Sequence, residues 1–241
     1  YAEDTRVTAK LLSHYNINKQ VSSYHSFNEK EKSKEILSNL EKGLSIAFCT
    51  DAGTPGISDP GYYLVREIKD YFPVISIPGA SAVLAGIVTS GLAPQPFTFI
   101  GFTERKSGKR INQLNEYKKY PHTLIFYERS DRIISLIDDL YKVFGKRHCV
   151  LAKELTKMYE TFIEFELGTD ISNLEFKGEY VVMISGYVEH EPSINDIIET
   201  AKEFLEKGYT KKDAINLTSD KLNVNKNLVY DLVIKSNLGE E

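Results

Sequence analysis

Apolar and polar positions follow two periods along this chain, and the changes of period mark its elements. Residues 44–49, LSIAFC, form an apolar run with β-branched and aromatic members and read as a buried strand. Shorter runs at residues 21–24 and 74–77 read the same way. Between them the spacing lengthens to that of a helix. Residues 5–15 place Val7, Leu11 and Leu12 on one face behind a capping Asp4 or Thr5. Residues 29–42 form an amphipathic helix closed by Gly43, and residues 62–71 form another. A small-residue helix runs from PGASA, residues 78–82, to about residue 90. Strands alternating with helices in this way predict parallel, βαβ-type pairing and an α/β fold.

After residues 94–97 the balance shifts. Residues 97–102, 123–127, 148–151, 161–167 and 180–184 read as strands, with helices near residues 111–119 and 131–144. Fewer helices per strand predict a mixed sheet. An acidic linker at residues 186–192 leads to helices at residues 194–207, 211–217 and 226–234. Three regions are therefore expected: an α/β domain over residues 1–94, a second over 95–187, and a small helical, helix-turn-helix-like module over 193–236.

The densest punctuation lies between the strand at 44–49 and the helix at 62–71. It reads Asp51-Ala52-Gly53-Thr54-Pro55-Gly56 and then Ser58-Asp59-Pro60-Gly61. Such a density of glycine and proline excludes the interior of a helix or strand. Asp59 is expected to cap the next helix, with Pro60 in its first turn. A rigid polar loop leaving the carboxyl end of a strand is where open α/β sheets bind ligands. PGASA is a second such junction, one βα unit further on, where free N–H groups at a helix start favour anionic groups. The two junctions predict opposite walls of one cleft.

Composition narrows the setting. With 241 residues, 41% hydrophobic and 27% charged, the chain is long enough to bury a real core. No apolar run approaches the roughly 20 residues of a membrane helix, and the opening YAEDTRV has no signal-peptide pattern, so a cytoplasmic protein is expected. Cys49 and Cys149 both fall in expected strands, as reduced core thiols. His14, His25, His122, His148 and His190 show no metal-ligand spacing, and no metal is predicted. Net charge is −4, so any polyanion must be met by a local patch. Arg105, Lys106, Lys109 and Arg110 form one around Ser107-Gly108, suited to phosphates. Lys211, Lys212, Lys221 and Lys226 flank the expected turn at residues 222–225.

DAGTPGISDPG at residues 51–61 resembles the signature loop of the tetrapyrrole-methylase superfamily. Further segments are similar to its ribosomal RNA small subunit methyltransferase I branch: EDTR at 3–6, SYH at 23–25, PGASA with SGL at 90–92, RKSGKR at 105–110, IFYE at 125–128, LAKELTK at 151–157 and GEYVV at 178–182. They occur in one collinear order. The resemblance implies two α/β domains with S-adenosylmethionine folded into the cleft between them, in a homodimer. It implies methyl transfer to the ribose 2′-oxygen of a decoding-region cytidine in 16S rRNA, free or in the small ribosomal subunit. Thr54, Ile57 and Ser58, with Asp51 and Gly53 of the same loop, then touch the donor. Ser81 and Ala82 do so from the second junction, Phe126 and Tyr127 from the second domain. Family members open with a strand and a proline- and glycine-bearing loop ahead of EDTR. This sequence starts just before EDTR and so reads as N-terminally truncated.

Methyl transfer from a sulfonium is an in-line displacement, so alignment supplies much of the rate. A ribose hydroxyl is weakly acidic, and a base or nearby cation helps its proton leave. Glu3, Asp4, Glu128 and Glu154 are the carboxylates in the motifs; Arg6, Lys153 and Lys157 are the cations. Spacing does not rank them. Two other readings remain: a tetrapyrrole methyltransferase using the same cleft, which needs neither basic segment nor helical tail, and an RNA-binding homologue without catalysis.

Overall fold

A computed structural model of the chain describes residues 1–189 and 192–235. These fall into two compact units, Tyr1–Tyr187 and the described residues from Val188 onward. The boundary expected near residue 94 falls inside the first unit.

The first unit opens with α1 (Thr5–His14), capped by Asp4, whose carboxylate accepts from the Arg6 amide. Then come α2 (Glu29–Glu41), α3 (Tyr62–Ile68) and α4 (Ala82–Thr89). Gly43, with φ of +80°, supplies the left-handed turn that follows α2. The three early strand expectations fail as ladders. Two isolated parallel bridges join Ala2 to Ser23 and to Cys49, so residue 2 runs between two of those segments. No described strand pairs with residues 74–77, and Ile75 and Ile77 stay exposed. A β-prone run becomes a strand only when a neighbouring edge takes its backbone groups. Tyr24, Ile36, Leu64 and Ile68 form a small core here, with Phe48 packed against it.

β1 (Phe97–Phe102), α5 (Ser107–Asn115), β2 (Thr123–Arg129), α6 (Ile133–Phe144), β3 (His148–Lys153), β4 (Thr161–Glu166) and β5 (Glu179–Ile184) complete the unit. The strands lie in the order β1-β2-β5-β3-β4. β1 and β2 are parallel across α5 and the other pairs antiparallel, giving the expected mixed sheet. The two-residue period of a strand sorts its side chains. Leu124, Phe126, Leu151, Tyr180 and Val182 pack under Leu136 and Leu140 of α6. Ile125, Val150, Val181 and Met183 face the other way, onto Val83 and Ile87 of α4. Gly86 lets α4 approach: a Cβ there would stand 3.3 Å from Val181.

One consequence of this pairing positions the site. The carboxyl ends of β1, β2 and β3 meet the amino ends of β4 and β5 at a single end of the sheet.

The second unit contains α7 (Ile194–Glu206), α8 (Lys211–Leu222) and α9 (Lys226–Lys235). Ser193 and Asp196 form a capping box on α7, and Thr210 caps α8. Ile197, Ala201, Ile215, Val229 and Val233 make its core. The turn expected at residues 222–225 is present, through Asn223 in the left-handed region. Lys221 is engaged within the unit by Glu203, at 3.3 Å. Residues 190 and 191 of the expected linker, and residue 236 of the expected module, lie outside the described residues. No helix among the described residues is long and apolar enough to cross a membrane.

Candidate active site

A cleft of about 390 Å³ opens at the sheet end where the loops gather. Residues 51–59 form one wall, residues 80–82 a second, and Tyr127, Ala152 and Val181 the strand side between them. The first wall turns sharply because Gly53 and Gly56 take φ of +67° and +82°. Gly101, at the bulge in β1, lets that wall come close: a Cβ there would stand 3.0 Å from Ser58 Oγ. The Thr54 hydroxyl donates to the Ala80 carbonyl at 3.3 Å and ties the two walls together. Tyr127 is braced edge-on by Phe99 and Phe102, with ring centroids 4.9 Å and 5.6 Å away.

Charge is unevenly spread over this surface. Asp59 has its pKa pushed up to about 6, first by burial and then by the nearby carboxylates of Glu3, Asp51 and Glu179. Its own carboxylate has no hydrogen-bond partner among the described residues. Glu154 is the opposite case. Its Oε1 accepts from the Glu179 amide at 3.0 Å and its Oε2 faces Lys157 Nζ at 3.2 Å, which together hold its pKa down. Asp51 Oδ1 accepts from the Asp4 amide at 3.1 Å, joining the start of α1 to the wall. Among the described residues no cluster of histidine, cysteine and carboxylate side chains has the form of a metal site.

The cleft brings together Asp51, Gly53, Thr54, Ile57, Ser58, Ser81, Ala82 and Tyr127 from the expected donor set. Of the expected catalytic candidates, Glu3, Glu128, Glu154 and Lys157 border it. The Glu128 carboxylate, however, is buried against Arg132 at 3.0 Å, and burial raises its pKa. Phe126 does not line the cleft: strand alternation turns its side chain into the core under α6, fully buried. Asp4 and Arg6 lie outside the cleft, paired with each other. That pairing, led by the Arg6 side-chain hydrogen bond, lowers the Asp4 pKa to about 2. Lys153 lies in an adjoining groove.

The basic segment needs a larger correction. Arg105, Lys106 and Lys109 are exposed, but Arg110 is 1% exposed and points inward. Helical spacing puts Arg110 on the same face as Leu114, four residues on, against α6. Its Nη2 meets Asp139 Oδ2 at 2.6 Å and the Ser135 carbonyl at 2.9 Å. Burial alone would raise the Asp139 pKa, but hydrogen bonds from Arg110, Lys142 and Ser107 outweigh it and hold the carboxyl down.

Residues 1–169 match the family of tetrapyrrole (corrin/porphyrin) methylases. The ribosomal RNA small subunit methyltransferase I of Vibrio cholerae is 38% identical, over 99% of this chain and 85% of its own length. That of Halalkalibacterium halodurans is 37% identical, over 96% and 83%. The chain belongs to the ribosomal RNA small subunit methyltransferase I branch of the tetrapyrrole methylase family. Among solved structures, the methyltransferase CobJ is similar with a TM-score of 0.54 and 15% identity, over 76% of this chain and 87% of its own. Diphthine synthase has the same TM-score at 14% identity, over 76% and 74%. At those identities the likeness is one of fold.

For a tetrapyrrole methylase chain, sequence reasoning missed Asp59, Phe102, Thr156, Glu179 and Tyr180, all of which line the cleft. Asp59 belongs to the signature loop, where its place before a helix points to capping. The cap position of α3 is Gly61, with φ of +133°, which leaves Asp59 free to face the cleft. The others become neighbours only through strand pairing, which no local pattern encodes.

Proposed function

We propose that this chain is an S-adenosylmethionine-dependent methyltransferase of 16S rRNA, acting on the ribose 2′-hydroxyl of a decoding-region cytidine, as a cytoplasmic homodimer. The observation that carries the donor half is the pair of walls at residues 51–59 and 80–82 facing Tyr127 across one cleft. The RNA half is supported by the names of the relatives and by exposed Arg105, Lys106 and Lys109.

The residues fit such a donor. At Gly53 a Cβ would meet nothing within 4 Å, so the backbone is open to a close approach. Asp59, among Glu3, Asp51 and Glu179, offers a negative field to a positively charged group. S-adenosylmethionine supplies an electrophilic methyl carried on a sulfonium. The walls then orient, while Tyr127 and Phe102 exclude water from one side. Proton removal falls to a carboxylate facing the cleft. Glu154 is held by Lys157 and the Glu179 amide, Glu128 by Arg132, Glu179 by Lys157, Asp51 by the Asp4 amide and Glu3 by the Asp51 amide, which leaves Asp59. Its pKa, pushed up to about 6, lies close to the working pH that suits a general base.

The test is donor-dependent methylation of purified small ribosomal subunits, with mapping of the modified nucleotide. Methylation of a decoding-region cytidine ribose is expected. Transfer to a tetrapyrrole and none to RNA would refute the reading.

A further inference from the structure

Beside the cleft lies a second groove, lined by Lys153, Met158, Tyr159, Lys177 and Gly178 and sharing Glu154 with it. Resting on the rRNA reading, we propose that this groove holds the single-stranded RNA flanking the target nucleotide. One unpaired base stacks on Tyr159, and Lys153 and Lys177 meet the neighbouring phosphates.

Four observations carry this. First, Met158 and Tyr159 are 89% and 73% exposed at the tip of the β3–β4 connection, leaving the Tyr159 ring face open. An exposed aromatic face beside cations is how single strands are bound without regard to sequence. Second, the connection is pre-shaped. Glu154 and Thr156 hold φ of +48° and +65°, a conformation that is costly for a β-branched residue. The Thr156 amide donates to Glu160 Oε2 at 2.6 Å, and Gly178 packs so closely on the Glu154 carboxylate that a Cβ there would displace it.

Third, the cations of the groove are available to a ligand. The carboxylates of Glu154 and Glu160 are engaged by the protein itself. Lys153 Nζ feels the carboxylates of Glu154 and Glu175 but makes no hydrogen bond or close ion pair among the described residues. Lys177 has only exposed Glu175, at 2.9 Å, a surface pair that gives way readily. Fourth, the topology aligns this groove with the other cationic surface. Arg105, Lys106 and Lys109 follow β1, Lys153 ends β3 and Lys177 precedes β5, all at the same end of the sheet. From β1 to β4 is four strand spacings, about 19 Å, and the cleft opens between them. A strand touching both surfaces passes over the cleft mouth.

The test uses the chain with a fluorescein-labelled single-stranded oligoribonucleotide of decoding-region sequence, by anisotropy across a salt series. Calorimetry with S-adenosylhomocysteine is the folding and donor control. Tyr159→Ala is expected to weaken RNA binding roughly ten-fold, as for one lost base–aromatic stack, while Tyr159→Phe retains it. The Lys153→Ala/Lys177→Ala pair should lower the slope of log affinity against log salt by about 1.4, twice the single-strand value per phosphate. Product affinity should not change in any of these variants. If the unaltered chain binds RNA, and both Tyr159→Ala and the lysine pair bind with its affinity and slope, the groove is not on the RNA path and the rRNA reading stands. Equal losses for Tyr159→Ala and Tyr159→Phe overturn stacking. No binding of RNA by the unaltered chain overturns both.

Discussion

Arg110 offers the sharpest test, because its sequence context and its environment imply opposite outcomes. Replacing it by alanine removes two bonds to Asp139 and two to Ser135, from side chains 1% and 2% exposed at the ion pair. Breaking a buried pair at one side typically costs about 3–5 kcal/mol, because the remaining charge is stranded. Asp139 keeps Ser107 at 2.9 Å and Lys142 at 3.1 Å, which places the loss near the lower bound. About 3 kcal/mol in a unit of this size corresponds to a fall in Tm of roughly 6–12 °C. Thermal and urea unfolding followed by circular dichroism measure it directly. The pH dependence has a definite sign. The folded pKa of Asp139 is lowered, so its contribution is present above its unfolded value, near pH 4, and fades as pH falls through the folded value. The deficit of Arg110→Ala should therefore shrink in acid. Arg110→Met with Asp139→Leu should recover most of the loss, since no charge is left unpaired. An Arg110→Ala protein as stable as the parent, with an RNA salt slope lowered by about 0.7, would show that Arg110 serves phosphate after all.

Three further outcomes follow from the cleft and its rim. Replacing Arg105, Lys106 and Lys109 together by alanine should leave unfolding within about 0.5 kcal/mol of the parent and lower the RNA salt slope by about 2; an unchanged slope would make that surface merely solvated. Ala82→Phe should abolish measurable S-adenosylhomocysteine binding in calorimetry, and undiminished affinity would place the donor elsewhere. The folded pKa of Asp59 is raised to about 6, so its ionisation costs stability as pH rises from about 4 to about 6. Asp59→Asn should flatten that part of the stability–pH profile, and a profile identical to the parent's would show that Asp59 titrates as an ordinary surface carboxylate.

Much of this was legible locally. The helices announce themselves through caps and period, and the glycine–proline loop through residues that tolerate no regular element. What stayed hidden depends on partners far along the chain. Arg110 sits in a run of cations, and only Asp139, on the next helix, reveals that it faces inward. Phe126 and Tyr127 are adjacent aromatic residues in one motif, but a strand must send them to opposite faces. Asp59 precedes a helix and looks like its cap, whereas Gly61 takes that place. Residues 44–49 and 74–77 have the composition of strands, but composition does not provide the neighbouring edge that makes one.

The pairing pattern also divides the sheet by mechanical duty. At the end opposite the cleft, Arg147 is clamped between the rings of Phe144 and Tyr187, at 4.7 Å and 5.7 Å, and donates to the Lys118 and Ser185 carbonyls. That end is closed by internal bonding. A reporter group or surface tether attached there, at exposed Lys119 for example, sits a full strand length from the chemistry. Immobilised through that end, the first unit would turn its cleft away from the support.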